Sequence, residues 1–188
     1  MAFKRYTIDG YGQLELNNVA FRRDGRIEAQ CGLDATDFAS ASCENGMALV
    51  VDKVKKVVRF ADENEVLPIA LHYSTEHMYK DGEVGLKDFK IDYRQDGTYF
   101  FPRMGYLSVG DLFTTNCFGY DDGTYTDDEK VKAAISAVKT TPLYAVPSEA
   151  GAWELVASVP ASGCVAEVVK PFSMPDGQFA VQLRVIRA

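Results

Sequence analysis

His72, His77 and Glu76 are the side chains of this sequence best suited by type to move protons, since an imidazole beside a carboxylate is a common acid–base pair. His72 lies in an apolar run and His77 in the segment after it. No serine or cysteine stands beside them in a nucleophile motif, so a packed or solvated histidine is the expectation. Asp121, Asp122, Asp127, Asp128 and Glu129 crowd together in a way that suggests calcium. Their spacing is not that of a twelve-residue EF-hand loop, and a helix start accounts for three of them. Cys31, Cys43, Cys117 and Cys164 form no CxxC pair, and neither histidine has a cysteine near it in sequence. Zinc sites draw ligands from such short-range pairs, so buried free thiols are expected instead. A Cys31–Cys43 bridge across their loop is disfavoured for a chain made in a reducing cytoplasm. Gly10, Gly12, Gly82 and Gly85 lack the preceding strand and following helix of a phosphate-binding loop. No catalytic residue, metal ligand or cofactor is therefore assigned. Two surface chemistries stay open. Arg22, Arg23 and Arg26 make a basic tip suited to an acidic protein partner, and Tyr120, Tyr125 and Trp153 are the candidate exposed aromatics of a carbohydrate-binding β domain.

The elements that must position these residues are organised around Tyr99 to Phe118, the densest aromatic run in the chain. Tyr99 to Phe101 favour a strand, Pro102 and Gly105 interrupt it, and Tyr106 to Val109 resume it. Gly110-Asp111 then turns, and Leu112 to Phe118 reads as the returning strand. So much apolar surface on short strands needs a second sheet or a closed barrel to cover it.

Upstream, Lys4 to Asp9 reads as a short strand, and Leu14, Leu16, Val19 and Phe21 nearly alternate. Asp24-Gly25 is a tight-turn signal and predicts a hairpin whose return strand is Ile27, Ala29, Cys31. Asp34 to Gly46 is small and polar and reads as a surface loop. Met47 to Val54 and Lys55 to Ala61 predict a second hairpin. Leu67 to Ser74 follows, with Pro68 placing it at an edge or at a strand's first residues. Leu86, Phe89, Ile91 and Tyr93 lead irregularly toward an Asp96-Gly97 turn, and Gly119 to Gly123 reads as a loop.

Thr126-Asp127-Asp128-Glu129 is a capping box, with Val131, Ala134, Ile135 and Val138 at helical spacing after it and Pro142 as a stop. This predicts one helix, about 127–139. Leu143 to Val146, Trp153 to Val159 and Cys164 to Val169 return to strand. Phe179, Val181, Leu183 and Val185 alternate with their neighbours to the end of the chain. The predicted fold is mainly β, an antiparallel sandwich or barrel-like architecture over a single domain, 1–188, with an extended N-terminal arm at 1–13.

The 188 residues are 47% hydrophobic and 25% charged, ordinary for a globular domain. A formal charge of -7 argues against binding nucleic acid across a broad face. No apolar run approaches the ~18–20 residues of a membrane span, and the N-terminus lacks a signal-peptide apolar region. Synthesis in a cytoplasm is the expectation.

Three segments carry a resemblance. Tyr6 to Gln30 (YTIDGYGQLELNNVAFRRDGRIEAQ), Gly105 to Asn116 (GYLSVGDLFTTN) and Met174 to Val181 (MPDGQFAV) are similar to small virion proteins encoded in tailed-phage genomes. The match takes in both ends and the middle of the chain. The resemblance implies a non-enzymatic structural protein of the particle, and within that group a capsid decoration or cement protein on the virion surface that binds the major capsid protein. A tail or head–tail junction component is the alternative, other virion proteins and self-association are further partner classes, and no functional residues come with the family. An extended contact is expected through Phe3, Lys4, Arg5 and Tyr6 of the arm, with Arg22, Arg23 and Arg26 as a second point.

Overall fold

The computed structural model describes residues 2–62, 65–74, 79–80, 83–84, 90–93 and 101–188. His77, Glu76, the Tyr99-Phe100 strand start, Gly82, Gly85, Leu86, Phe89 and the Asp96-Gly97 turn lie outside them. Along the first half run β1 (Phe3–Arg5), β2 (Leu14–Asn18), α1 (Ala20–Asp24), β3 (Ile27–Glu28), β4 (Gly32–Leu33), β5 (Ser42–Glu44), β6 (Ala48–Asp52), β7 (Val57–Arg59) and β8 (Ile69–His72). Then come β9 (Tyr79–Lys80), β10 (Glu83–Val84), β11 (Lys90–Asp92), β12 (Met104–Tyr106), β13 (Leu112–Thr115) and β14 (Phe118–Asp121). The chain ends with α2 (Asp128–Ser136), β15 (Tyr144–Pro147), β16 (Trp153–Val156), β17 (Val165–Ser173) and β18 (Phe179–Arg187).

Two sheets make the body. One has eight strands in the order β1-β14-β16-β15-β17-β18-β13-β2, the other six in the order β3-β12-β8-β6-β7-β4. They pack as a sandwich and no barrel closes among the described residues, so the mainly-β prediction holds in its sandwich form. Pairing is not purely antiparallel, because β14 runs parallel to β16 and β4 parallel to β7.

The six-stranded sheet is covered on both faces. Ala48 and Val50 of β6 face a core shared with Phe113, Phe118, Trp153 and Leu183 of the larger sheet and with Val131 and Ile135 of α2. Leu49 and Val51 face a second cluster with Phe38, Cys43, Val58 and Met104. A strand apolar on both sides needs such double cover. This corrects the surface loop expected over Asp34 to Gly46. Phe38 is 2% exposed and packs 4.7 Å from the Phe60 ring, and β5 is inserted in the same layer.

Further expectations change. Asp24-Gly25 does supply a positive φ, 67° at Gly25, but as the left-handed C-cap of α1 rather than a hairpin turn. The Ala20 N–H at the start of that helix is accepted by Asp111, 91 residues away (2.7 Å), and Phe21 is fully buried against Tyr73. Two helices, not one, therefore stand among the described residues. The turn at Gly110 does not make a hairpin either. β12 belongs to the six-stranded sheet and β13 to the eight-stranded one, so the aromatic stretch is where the chain crosses between layers. Gly119 to Asp121 is strand, not loop, and β8 is an interior strand flanked by β12 and β6. Of the two places expected for Pro68, the edge therefore falls away and the strand's start is what remains, Pro68 standing just before Ile69. The second helix begins one residue later than expected. Asp127 is its N-cap, its carboxylate accepting from Lys130 N–H at 2.9 Å, and Val131 and Ile135 are the buried stripe.

Candidate functional site

An extended arm is expected at residues 1–13, and the structure shows residues 2–13 stitched into the body. The arm's backbone N–H groups are taken one after another by side chains: Ala2 by Asp122, Thr7 by Asp128, Asp9 by Gln178, Gly12 by Glu44 and Gln13 by Asn116, at 2.6–3.1 Å. Tyr6 is 5% exposed and stacks on Phe118 at 4.7 Å. Arg5 turns inward and grips Glu44 with two N–H groups, at 2.9 and 2.5 Å. An extended segment has no internal hydrogen bonds, so it is ordered only where others meet its polar groups. Asp122 and Asp128, grouped above as calcium candidates, do this here.

The Arg5–Glu44 pair caps a buried polar nucleus. His72 is wholly buried; its Nδ1 lies 2.8 Å from the Glu44 carbonyl and its Nε2 2.8 Å from Ser74 Oγ. The carbonyl fixes the proton on Nδ1, so Nε2 accepts from the Ser74 hydroxyl. Burial lowers the His72 pKa to about 4, so the ring is neutral at pH 7. Asn45 closes the nucleus by accepting from Ser74 N–H at 2.7 Å. Each contact ties the β5–β6 turn to the end of β8, which makes this cluster a structural clamp. The sequence marks Asp34 to Gly46 as polar loop but does not show that Glu44 would be buried, since its partners come from residues 5 and 12.

The thiols are free and buried at all four positions. Burial pushes Cys117 and Cys164 up to about 12, so neither is a thiolate at neutral pH. Tyr120 and Trp153 are fully buried, Tyr120 donating to Asp128 and Trp153 Nε1 to the Gly46 carbonyl. These two cannot serve as a sugar platform, which removes them from that candidate set, while Tyr125 is half-buried and edge-on to Tyr120.

Three outward-facing features stand out among the described residues. The first is β1. It is the outer strand of its sheet, with Phe3 opposite Asp121 and Arg5 opposite Gly119. Asp122 N–H donates to the Ala2 carbonyl and Tyr6 N–H to the Phe118 carbonyl. Residues 2, 4 and 6 therefore face β14, while Phe3 and Arg5 direct their own N–H and C=O to the open side. Lys4 is exposed, its Nζ 5.7 Å from the Tyr120 ring centre.

The second is a groove of about 1160 Å³ over the β1-β14-β16-β15 face, rimmed by the segment before β8. Phe3, Val66, Leu67 and Val146 belong to its apolar lining, and five side-chain carboxylates line it. Asp62 and Glu65 are paired with Arg59, and Asp121, Glu149 and Glu154 are without an ion-pair partner among the described residues. Burial, with Asp121 and Glu149 nearby, raises the Glu154 pKa. Arg187 also lines the groove but is spent on the carbonyls of Pro160, Ser162 and Gly163. The groove's field is therefore negative.

The third is the basic tip. Arg22, Arg23 and Arg26 are exposed, Arg23 donating to Asn18 and Arg26 to Ser108. No carboxylate pairs with any of the three among the described residues.

The chain matches no family model, no curated protein and no solved structure. Among the described residues no helix is long and apolar enough to cross a membrane.

Proposed function

We propose that this is a non-enzymatic phage structural protein, a capsid decoration or cement protein that binds the major capsid protein on the virion surface. The sequence resemblance supplies the class. The observation that carries the mode of binding is the open edge of β1, whose outward N–H and C=O groups at Phe3 and Arg5 offer a strand-addition site. An extended capsid segment pairs along that edge, and main-chain hydrogen bonds hold it without any reactive group. The N-terminal segment thus acts as a fixed template rather than a searching arm. Because its own side of the ladder is already made, β1 loses little entropy on binding.

The experiment uses purified full-length protein and undecorated phage heads, with co-sedimentation as the readout. Phe3→Ala removes the ring but keeps the outward N–H, whereas Phe3→Pro removes both. Retention of wild type and Phe3→Ala with release of Phe3→Pro is expected. Equal retention of Phe3→Pro removes the edge from the mechanism, and failure of wild type to bind heads removes the decoration role.

A further inference from the structure

We propose that the protein pairs with a second copy of itself through a twofold contact in which the basic tip of each copy enters the acidic groove of the other. This goes beyond the capsid contact at β1 and does not depend on it. Three observations meet at one end of the six-stranded sheet. Arg26 and the groove rim flank the same strand. The Arg26 carbonyl accepts from Tyr106 N–H at 3.2 Å, and the next residue, Leu107, donates to the carbonyl of Ile69, which lines the groove (3.2 Å). Between them, exposed apolar side chains leave the same end of the β8–β12 pair: Val109 at 69% exposure, and Val66 and Leu67 at 91% and 38%. Arg26 reaches Ser108 beside Val109, and Ile27 next to it is exposed as well.

The charges on the two flanks are complementary, and among the described residues they are unpaired. Arg22, Arg23 and Arg26 have no carboxylate partner, and Glu149 and Glu154 have no cation, among the described residues. Where a basic flank and an acidic flank border one apolar strip, a twofold axis through the strip satisfies both at once. Each copy's arginines fall on the other's carboxylates, and the valines and leucine meet in the middle. A net charge of -7 opposes nonspecific association, so the contact must be registered by these opposite patches.

The test is sedimentation velocity on the full chain over about a hundredfold range of protein concentration and from about 0.1 to about 1 M NaCl. A dimer that weakens with salt is expected. Reversing the tip (R22E, R23E and R26E together) or the groove (E149K with E154K) should each weaken association about tenfold or more. Combining both reversals in one chain should restore the dimer, because the complementarity is then rebuilt with exchanged signs. Val109→Asp, in an exposed turn, should give a monomer by itself. Circular dichroism and melting temperature establish that each variant is folded. A wild type that sediments as a monomer throughout overturns the proposal. So does a dimer indifferent to both reversals, or folded single reversals that dissociate without rescue in combination. Binding to heads by the monomeric variants is scored separately, so loss of the dimer and loss of the capsid contact remain distinguishable.

Discussion

Arg5 and His72 show how much of this molecule depends on single side chains whose partners lie far away in sequence. The Glu44 side chain is 12% exposed and accepts from Arg5 and from Gly12 N–H. Arg5→Ala leaves that carboxylate buried without its cation, and a loss of about 3 kcal/mol is expected in urea denaturation. Glu44→Gln keeps an acceptor for Gly12 and should cost less. Equal costs would mean that the charge is not what matters. His72 binds its proton at about 4 in the fold against 6.5 ordinarily, because burial opposes the charged ring. Between those values the unfolded chain takes up a proton that the folded chain refuses. Its contribution is therefore complete above pH 6.5 and is lost as pH falls toward 4, at ~1.4 kcal/mol per unit, about 3 kcal/mol in all. The denaturation midpoint of wild type should fall more steeply over that window than that of His72→Gln. Parallel slopes would sink this assignment.

At the scale of elements, α2 is started by Asp127, whose carboxylate accepts from Lys130 N–H. Asp127→Ala should lower stability by about 1 kcal/mol. Thr126→Ala, which loses only exposed contacts to Asp127 and Lys130, should cost a few tenths. A larger loss at Thr126 in thermal melts would return the cap to that residue. The N-terminal segment is an element of the same kind, held by side chains rather than by its own hydrogen bonds. Removing residues 1–9 deletes Tyr6 from the core and Arg5 from Glu44, so a chain lacking near-ultraviolet circular dichroism is expected. A folded truncated protein would show that the segment is dispensable.

Across the whole molecule, stability depends on the fit of two sheets, a cover segment and two helices around two adjoining cores. Gly105 sits where α1 crosses β12, and a Cβ there would overlap the Phe21 ring, which is fully buried and has nowhere to go. Gly105→Ala should destabilise by about 1–3 kcal/mol through overpacking. A melting temperature equal to wild type would mean that the α1–β12 approach is looser than described. The three outward features share this body, and Phe3 belongs to two of them, since it lies on the β1 edge and also lines the groove. The β1 edge lies at the end of the larger sheet, while the basic tip and the groove rim border the end of the smaller one.

Period-two alternation in Phe179 to Val185 determined β18, because one face of that strand meets the core along its whole length. The capping acids and the i,i+4 pair Val131 and Ile135 determined α2, and the β6–β7 hairpin and the buried thiols were legible in the same local way. What only the tertiary structure decided are the cases where a local signal admits two uses. Asp24-Gly25 specifies a positive φ, which closes a hairpin or ends a helix equally well. Asp111, 91 residues on, meets the Ala20 N–H and the Phe21 pocket is ready, so the helix wins. Residues 1–13 carry an extended pattern that suits a free arm or a docked strand. Acceptors from Glu44, Asn116, Asp122, Asp128 and Gln178 dock it. Alternation, capping and turn chemistry act over a few residues and set backbone angles. The choice among partners for a polar group depends on which distant residues the packed sheets bring within about 3 Å, and that distance exists only in the fold.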